Sequence, residues 1–211
     1  NIWGADHHGH VARLKSAMGA LGYSEDKLEV ILMQLVRLFS NGEIMRMSKR
    51  AGTYVTLEEL LGEVGRDAAR FFFVMRSADS QMDFDLDLAK SQSMDNPVYY
   101  VQYAHARINS ILMQAAEQGV EPVDLATVNF ALLVDETERD LLRKILELPD
   151  EIVAAAVQRA PHKIAAYVMD LGALFHSFYA VCRVLGVDAD LQQARLWLCR
   201  VTAGAVARCL Q

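Results

Sequence analysis

Two short strings in this chain carry side chains able to grip a nucleotide. Met47-Ser48-Lys49-Arg50 offers a hydroxyl beside two cations, and Ala51-Gly52-Thr53 follows it. A glycine-flanked loop with those groups can close on phosphates and open again. Upstream, Gly4-Ala5-Asp6-His7-His8-Gly9-His10 combines a carboxylate, three imidazoles and two glycines. A Gly-x-Asp-x-x-x-His string at the end of a strand can hold a nucleoside. The same residues admit a metal site of His7, His8 and His10, although adjacent histidines on a strand-to-helix turn rarely converge on one ion. They also admit a merely structural turn. A third acidic run, Asp83-Phe84-Asp85-Leu86-Asp87-Leu88, could suggest a cation site. Its strict alternation reads instead as the solvated face of a half-buried strand.

These strings need elements to position them. Ile2-Trp3-Gly4 reads as the end of a buried strand, and residues 8–21 as a helix stopping at Gly22. The apolar stretch from Leu28 to Phe39 is followed by Ser40-Asn41-Gly42-Glu43 and then Ile44-Met45-Arg46, a hairpin signal because both turn residues must accept positive φ. That leaves 47–54 as a loop. Thr56 to Glu59 is a capping box opening a short helix that ends at Gly62 or Gly65, and a second helix runs from Asp67 to Arg76. From Asn96-Pro97 onward the periodicity is helical: about 97–118, 136–148, 150–159, 162–185 and 190–211. Pro122, Pro149, Pro161 and Gly186 fall between these segments or at their starts. The expected organisation is two domains, residues 1–90 mixed α/β and residues 91–211 a helical bundle, with a boundary near 88–96.

The chain has 211 residues, 53% hydrophobic and 23% charged, a composition that supports a real core. No apolar run in the sequence looks long enough for a membrane span, and no signal peptide is visible. Cys182, Cys199 and Cys209 lack metal-ligand spacing and read as free thiols of a reducing cytosol. Net charge is −6, but it is unevenly spread: residues 161–211 carry more basic than acidic side chains, including Lys163, Arg183, Arg195, Arg200 and Arg208. An acidic protein can bind RNA through one such face.

The lysine string resembles the K-M-S-K-S loop of class I aminoacyl-tRNA synthetases, with Arg46 in place of the first lysine, Lys49 matching the second, and Arg50 departing from the final serine. The wider resemblance is to the arginyl-tRNA synthetases. Residues 47–61 are similar to their loop and the helix after it. Asp67-Ala68-Ala69-Arg70-Phe71-Phe72 resembles their D-A-x-R-F-F stretch. Asp95-Asn96-Pro97-Val98-Tyr99-Tyr100-Val101-Gln102-Tyr103-Ala104-His105-Ala106-Arg107-Ile108 looks like the opening helix of their anticodon-binding bundle. Residues 178–185 and Ala194-Arg195-Leu196 also look like that bundle. Cysteinyl and methionyl enzymes share the lysine loop but not the Y-V-Q-Y-A-H-A-R run. His7-His8-Gly9-His10 has the outline of the class I H-I-G-H signature, yet lies too near the lysine loop. It is more similar to the downstream G-A-D-H-x-G-H/Y run of arginyl enzymes.

The resemblance implies a fold, mainly α with a small α/β part: an incomplete class I Rossmann-type catalytic region with its lysine loop, followed by an α-helical anticodon-binding bundle. It implies Lys49 and Ser48 as catalytic residues. ATP, with Mg²⁺ as part of the substrate complex, would meet Gly4, Asp6, His7, His10, Met47, Ser48 and Lys49. Gly4 would let the backbone approach adenine, and Asp6 would accept from ribose hydroxyls. tRNA(Arg) would meet two or three of Tyr100, Tyr103, Arg107, Tyr179 and Arg183, through stacking and charge. His105, His162 and His176 are read as structural or surface residues. The whole enzyme would be a cytoplasmic arginine–tRNA ligase, a monomer acting on arginine and ATP, with no protein-bound metal and no membrane partner. This piece, lacking H-I-G-H and the family's usual ending, would be inactive alone and would self-associate through residues 1–45. Alternatives are a class I synthetase of another specificity, or a stand-alone helical RNA-binding module.

Overall fold

The computed structural model describes residues 1–45 and 55–211. The expectations for Arg46, Met47, Ser48, Lys49 and Arg50 therefore lie outside the described residues. The chain divides into two compact units, Asn1–Lys90 and Ser91–Gln211.

The first unit begins with strand β1 (Ile2–Gly4), a single 3-10 turn, helix α1 (His8–Ala20) and strand β2 (Ile31–Met33). β2 lies parallel to β1, with Trp3 opposite Leu32. The apolar stretch 28–39 is divided. Gln34 and Leu35 separate β2 from β3 (Val36–Ser40), which belongs to another sheet of order β4-β3-β5. β4 (Glu43–Ile44) returns antiparallel across Asn41 and Gly42, at φ 55 and 75, the left-handed pair that Asn-Gly favours. Helices α2 (Leu57–Val64) and α3 (Arg66–Val74) then lead into β5 (Met82–Asp85), parallel to β3. At the start of α2, Glu59 accepts from the Thr56 N–H at 2.7 Å, and Thr56 Oγ1 accepts from the Glu59 N–H at 3.1 Å. The backbone bond to the carboxylate, and then the Thr56 hydroxyl donating to the same oxygen at 2.9 Å, hold the Glu59 carboxyl below its ordinary pKa. Phe84 is fully buried at the centre of this unit, its ring 5.2 Å from Phe72 and 5.3 Å from Phe73.

Two expectations for this unit need correction. The 83–88 alternation is not one strand. β5 stops at Asp85, and Leu86–Lys90 is a short helix, α4. The reason is local: Asp85 Oδ1 accepts from the N–H groups of Asp87 and Leu88 and so caps the helix start. Its neighbours do different work. Asp83 grips Arg37 through both oxygens at 2.6 and 2.8 Å, directly across the β3–β5 pair. Asp87 Oδ2 accepts from the Asn41 N–H at 2.5 Å and so ties the hairpin turn to α4. Nor is β1 a buried strand: Ile2 is 67% exposed, and α1 buries no residue.

The second unit packs helices α5 (Pro97–Glu117), α6 (Glu136–Gln158), α7 (His162–Val181) and α8 (Ala189–Leu210) into a bundle. Its centre holds Ile108, Leu141, Val168, Leu171, Phe175, Phe178 and Val206, all fully buried. Asn96 starts α5 by accepting from the Val98 and Tyr99 N–H groups, while its amide donates to the Ser91 carbonyl at 2.8 Å. Glu138, also fully buried, closes the α6 capping box through the Asp135 N–H and accepts from Arg195 Nε of α8 at 2.6 Å. Arg195 Nη1 donates onward to the Arg183 carbonyl at 2.7 Å. One buried ion pair thus ties the start of α6, the end of α7 and α8.

Pro149 does not separate two helices, contrary to the expected 136–148 and 150–159. α6 is continuous through it. Burial of the α6 face outweighs the missing N–H, and the Tyr167 hydroxyl donates to the Lys144 carbonyl at 2.7 Å, in the turn before the proline. α7 ends at Val181 rather than 185, its last turn closed by the Cys182 N–H on the Phe178 carbonyl. α7 is also long and apolar enough, by length and composition, to cross a membrane, contrary to the expectation that no apolar run reaches that length. Its apolar face from Ala165 to Phe178 packs into the bundle.

Candidate nucleotide trough and RNA-binding face

The β1–α1 turn brings Gly4, Asp6, His7 and His10 together. A side chain at Gly4 would begin 2.5 Å from Asp6 Oδ1, so glycine leaves that carboxylate room. Asp6 Oδ2 stands 3.7 Å from His7 Nε2, with both side chains mostly exposed. The His7 and His10 rings lie 5.7 Å apart and tilted at 56°. Beside them runs an open trough of about 670 Å³ lined by Trp3, His7, His10, Arg13, Leu14 and Ala17. An apolar floor with imidazoles and a guanidinium at its side is of a size and character to take a nucleoside. Arg13 was missed by the sequence reading. The signal was there, since His7, His10, Arg13 or Leu14, and Ala17 repeat at helical spacing. Among the described residues, no group of three or more His, Cys, Asp and Glu side chains is placed to hold a metal ion.

The second candidate site lies on α5 and α7. Four of the five proposed RNA-contacting residues converge there. Tyr103 stacks on Tyr99 at 6.1 Å and on His176 at 5.8 Å. The Arg107 guanidinium lies over Tyr103 at 5.6 Å and over Tyr179 at 4.9 Å. Tyr179 in turn stacks on Phe175 at 6.0 Å. Tyr100 faces inward: its ring lies edge-on to His176 at 5.0 Å and would touch a Cβ at Gly172 at 3.3 Å, so glycine at 172 lets α5 and α7 close on it. Burial raises the Tyr100 pKa. Arg183 stands apart from this cluster, exposed in the turn after α7, with its carbonyl held by Arg195.

His176 sits at the centre of the cluster, although the sequence reading set it aside. It precedes Tyr179 by three residues and so shares its face of α7. Burial, and then the nearby Arg107 charge, lower its pKa and favour the neutral ring. Outward-facing aromatic rings with a guanidinium among them can stack bases and hold phosphate.

A four-helix bundle presenting such a face falls in a known class: residues 101–211 match the DALR anticodon binding domain, and the chain belongs to that family. The relatives are more particular. The chain is 60% identical over all 211 residues to an arginine–tRNA ligase of Desulfitobacterium hafniense, and 59% identical over 202 residues to that of Moorella thermoacetica. These alignments cover 100% and 96% of this chain but only 38% and 36% of those proteins. Among solved structures, an arginyl-tRNA synthetase of Campylobacter jejuni superposes with a TM-score of 0.86 at 33% identity, over 100% of this chain and 45% of that one. That of Thermus thermophilus shares the fold, with a TM-score of 0.77 at 24% identity over 100% of this chain and 39% of its own.

Proposed function

We propose that this chain is the C-terminal portion of a cytoplasmic class I arginyl-tRNA synthetase, and that its bundle reads the anticodon of tRNA(Arg). The observation that carries this reading is the aromatic–arginine face of α5 and α7, which lies within the stretch matching an anticodon-binding family. In the whole enzyme, the arginine carboxylate attacks the α-phosphorus of ATP and pyrophosphate departs. The 2′-hydroxyl of the terminal adenosine then attacks the adenylate carbonyl and AMP departs. Lys49 stabilises the charge that grows on the pyrophosphate, which lowers the barrier because that charge is greater in the transition state than before it. Ser48 and Met47 complete the phosphate grip. Mg²⁺ arrives on the ATP phosphates rather than in a protein cage. Gly4, Asp6, His7 and His10 form the adenosine side, with the trough beside α1 as its floor. Tyr103, Arg107 and Tyr179 receive the anticodon, while Tyr100 supports them and Arg183 meets the backbone. The chain alone is inactive, since it lacks an H-I-G-H element.

The test is equilibrium binding of this chain to tRNA(Arg) and to the same tRNA with its central anticodon base changed, at two salt concentrations. Several-fold discrimination that survives higher salt supports the reading, because nonspecific phosphate contacts weaken with salt and base contacts persist. Equal binding at both salts counts against it.

A further inference from the structure

We propose that His176 is a specificity-determining residue of the RNA face, its imidazole Nε2 hydrogen-bonding the edge of a base seated against Tyr103 and Tyr179. The inference rests on the anticodon reading above and names a residue for it. Among the described residues, His176 Nε2 is the buried side-chain polar atom without a hydrogen-bond partner. An unsatisfied buried nitrogen is destabilising, and native structures keep few of them without a use. What surrounds it offers no pairing. From α5 it is faced by the Tyr100 edge, the Tyr103 ring and the Arg107 charge, and on α7 by Phe175, with Tyr179 reached through Arg107. Only Arg107 among these is charged, and it disfavours a second cation beside it.

The ring is therefore a neutral hydrogen-bonding group, suited to a base edge rather than to phosphate, which the guanidinium already serves. Tyr103 is half-buried and Tyr179 is exposed, and Arg107 lies over both rings. A base that stacks there and shifts Tyr103 uncovers Nε2. A base with the complementary group satisfies the nitrogen. A base without it leaves the nitrogen as unpaired as in the free protein and gains nothing. Discrimination of this kind exceeds what an apolar pocket achieves.

The test pairs the wild-type chain with His176→Phe, which keeps a flat ring and removes both nitrogens. Binding is measured to tRNA(Arg) and to the tRNA with a changed central anticodon base. The expected result is a loss of about ten-fold for tRNA(Arg) with little change for the altered tRNA, the size of one hydrogen bond. Retained discrimination in His176→Phe overturns the proposal, and so does an equal loss for both RNAs. Absence of discrimination by the wild-type chain overturns the anticodon reading itself and this inference with it. If His176→Phe does not fold, the ¹⁵N imidazole resonances of the unmodified chain are followed on adding an anticodon stem-loop RNA. A shift at His176 Nε2 supports the hydrogen bond, and an unchanged resonance overturns it.

Discussion

At the scale of the residue, buried polar groups set how the bundle responds to acid and to mutation. The folded pKa of His176 lies below its ordinary value of 6.5, so the unfolded chain binds that proton more readily. Its contribution is present above pH 6.5 and is lost as pH falls through the folded value. Thermal melts between pH 8 and pH 5 should show declining stability, and His176→Phe should flatten that part of the profile. The Glu138–Arg195 pair is a sharper case because Glu138 is fully buried. Glu138→Ala leaves a largely buried guanidinium without its carboxylate and opens the α6 capping box. A cost of about 3–5 kcal/mol is expected in urea unfolding. A cost under about 1 kcal/mol would mean that the pair behaves as an exposed one. The thiols are quiet: burial pushes Cys199 up to about 12 and Cys209 up to about 11, so neither should react quickly with a thiol reagent near neutral pH.

At the scale of the element, local chemistry and tertiary packing can be separated. The α5 start was legible because a cap is a matter of adjacent residues: Asn96 accepts from the N–H groups that follow, and Pro97 needs no donor of its own. Asn96→Ala should cost about 1–2 kcal/mol in thermal unfolding, toward the upper end because Asn96 is buried and also holds Ser91. The run through Pro149 was not legible. Proline predicts a break, and only the packing of α6 on its neighbours carries the helix past it. Pro149 is exposed, so Pro149→Ala should leave packing intact and raise the melting temperature. A fall would mean that the proline's geometry is itself required. The 83–88 alternation misled for a related reason, since one carboxylate, Asp85, turned a period-two pattern into a helix cap.

At the scale of the whole molecule, the first unit carries apolar surface beside unpaired strand edges. Ile2, Leu21, Met33 and Leu35 are exposed beside a two-stranded sheet. Exposed apolar side chains at an unpaired strand edge favour association. Size-exclusion chromatography across a wide concentration range should show self-association, abolished or weakened by charged substitutions at Ile2 and Leu35. A clean monomer throughout would remove the idea.

The sequence by itself determined the candidate nucleotide-binding strings, the caps at Thr56 and Asn96, the Asn-Gly hairpin, the helical character of the second half and the resemblance to arginyl-tRNA synthetases. All of these rest on neighbouring residues or on ordered motifs, which a linear reading can hold. Only the tertiary structure decided that Tyr100 supports while Tyr103, Arg107 and Tyr179 face outward. The same is true of His176 Nε2 left without a hydrogen-bond partner among them, and of Glu138 and Arg195 meeting from distant helices. Those facts depend on which face of each helix meets another, and on what is left without a partner when they meet. Aromatic residues at helical spacing look alike in sequence whether they fill a core or present a surface, and packing alone separates the two.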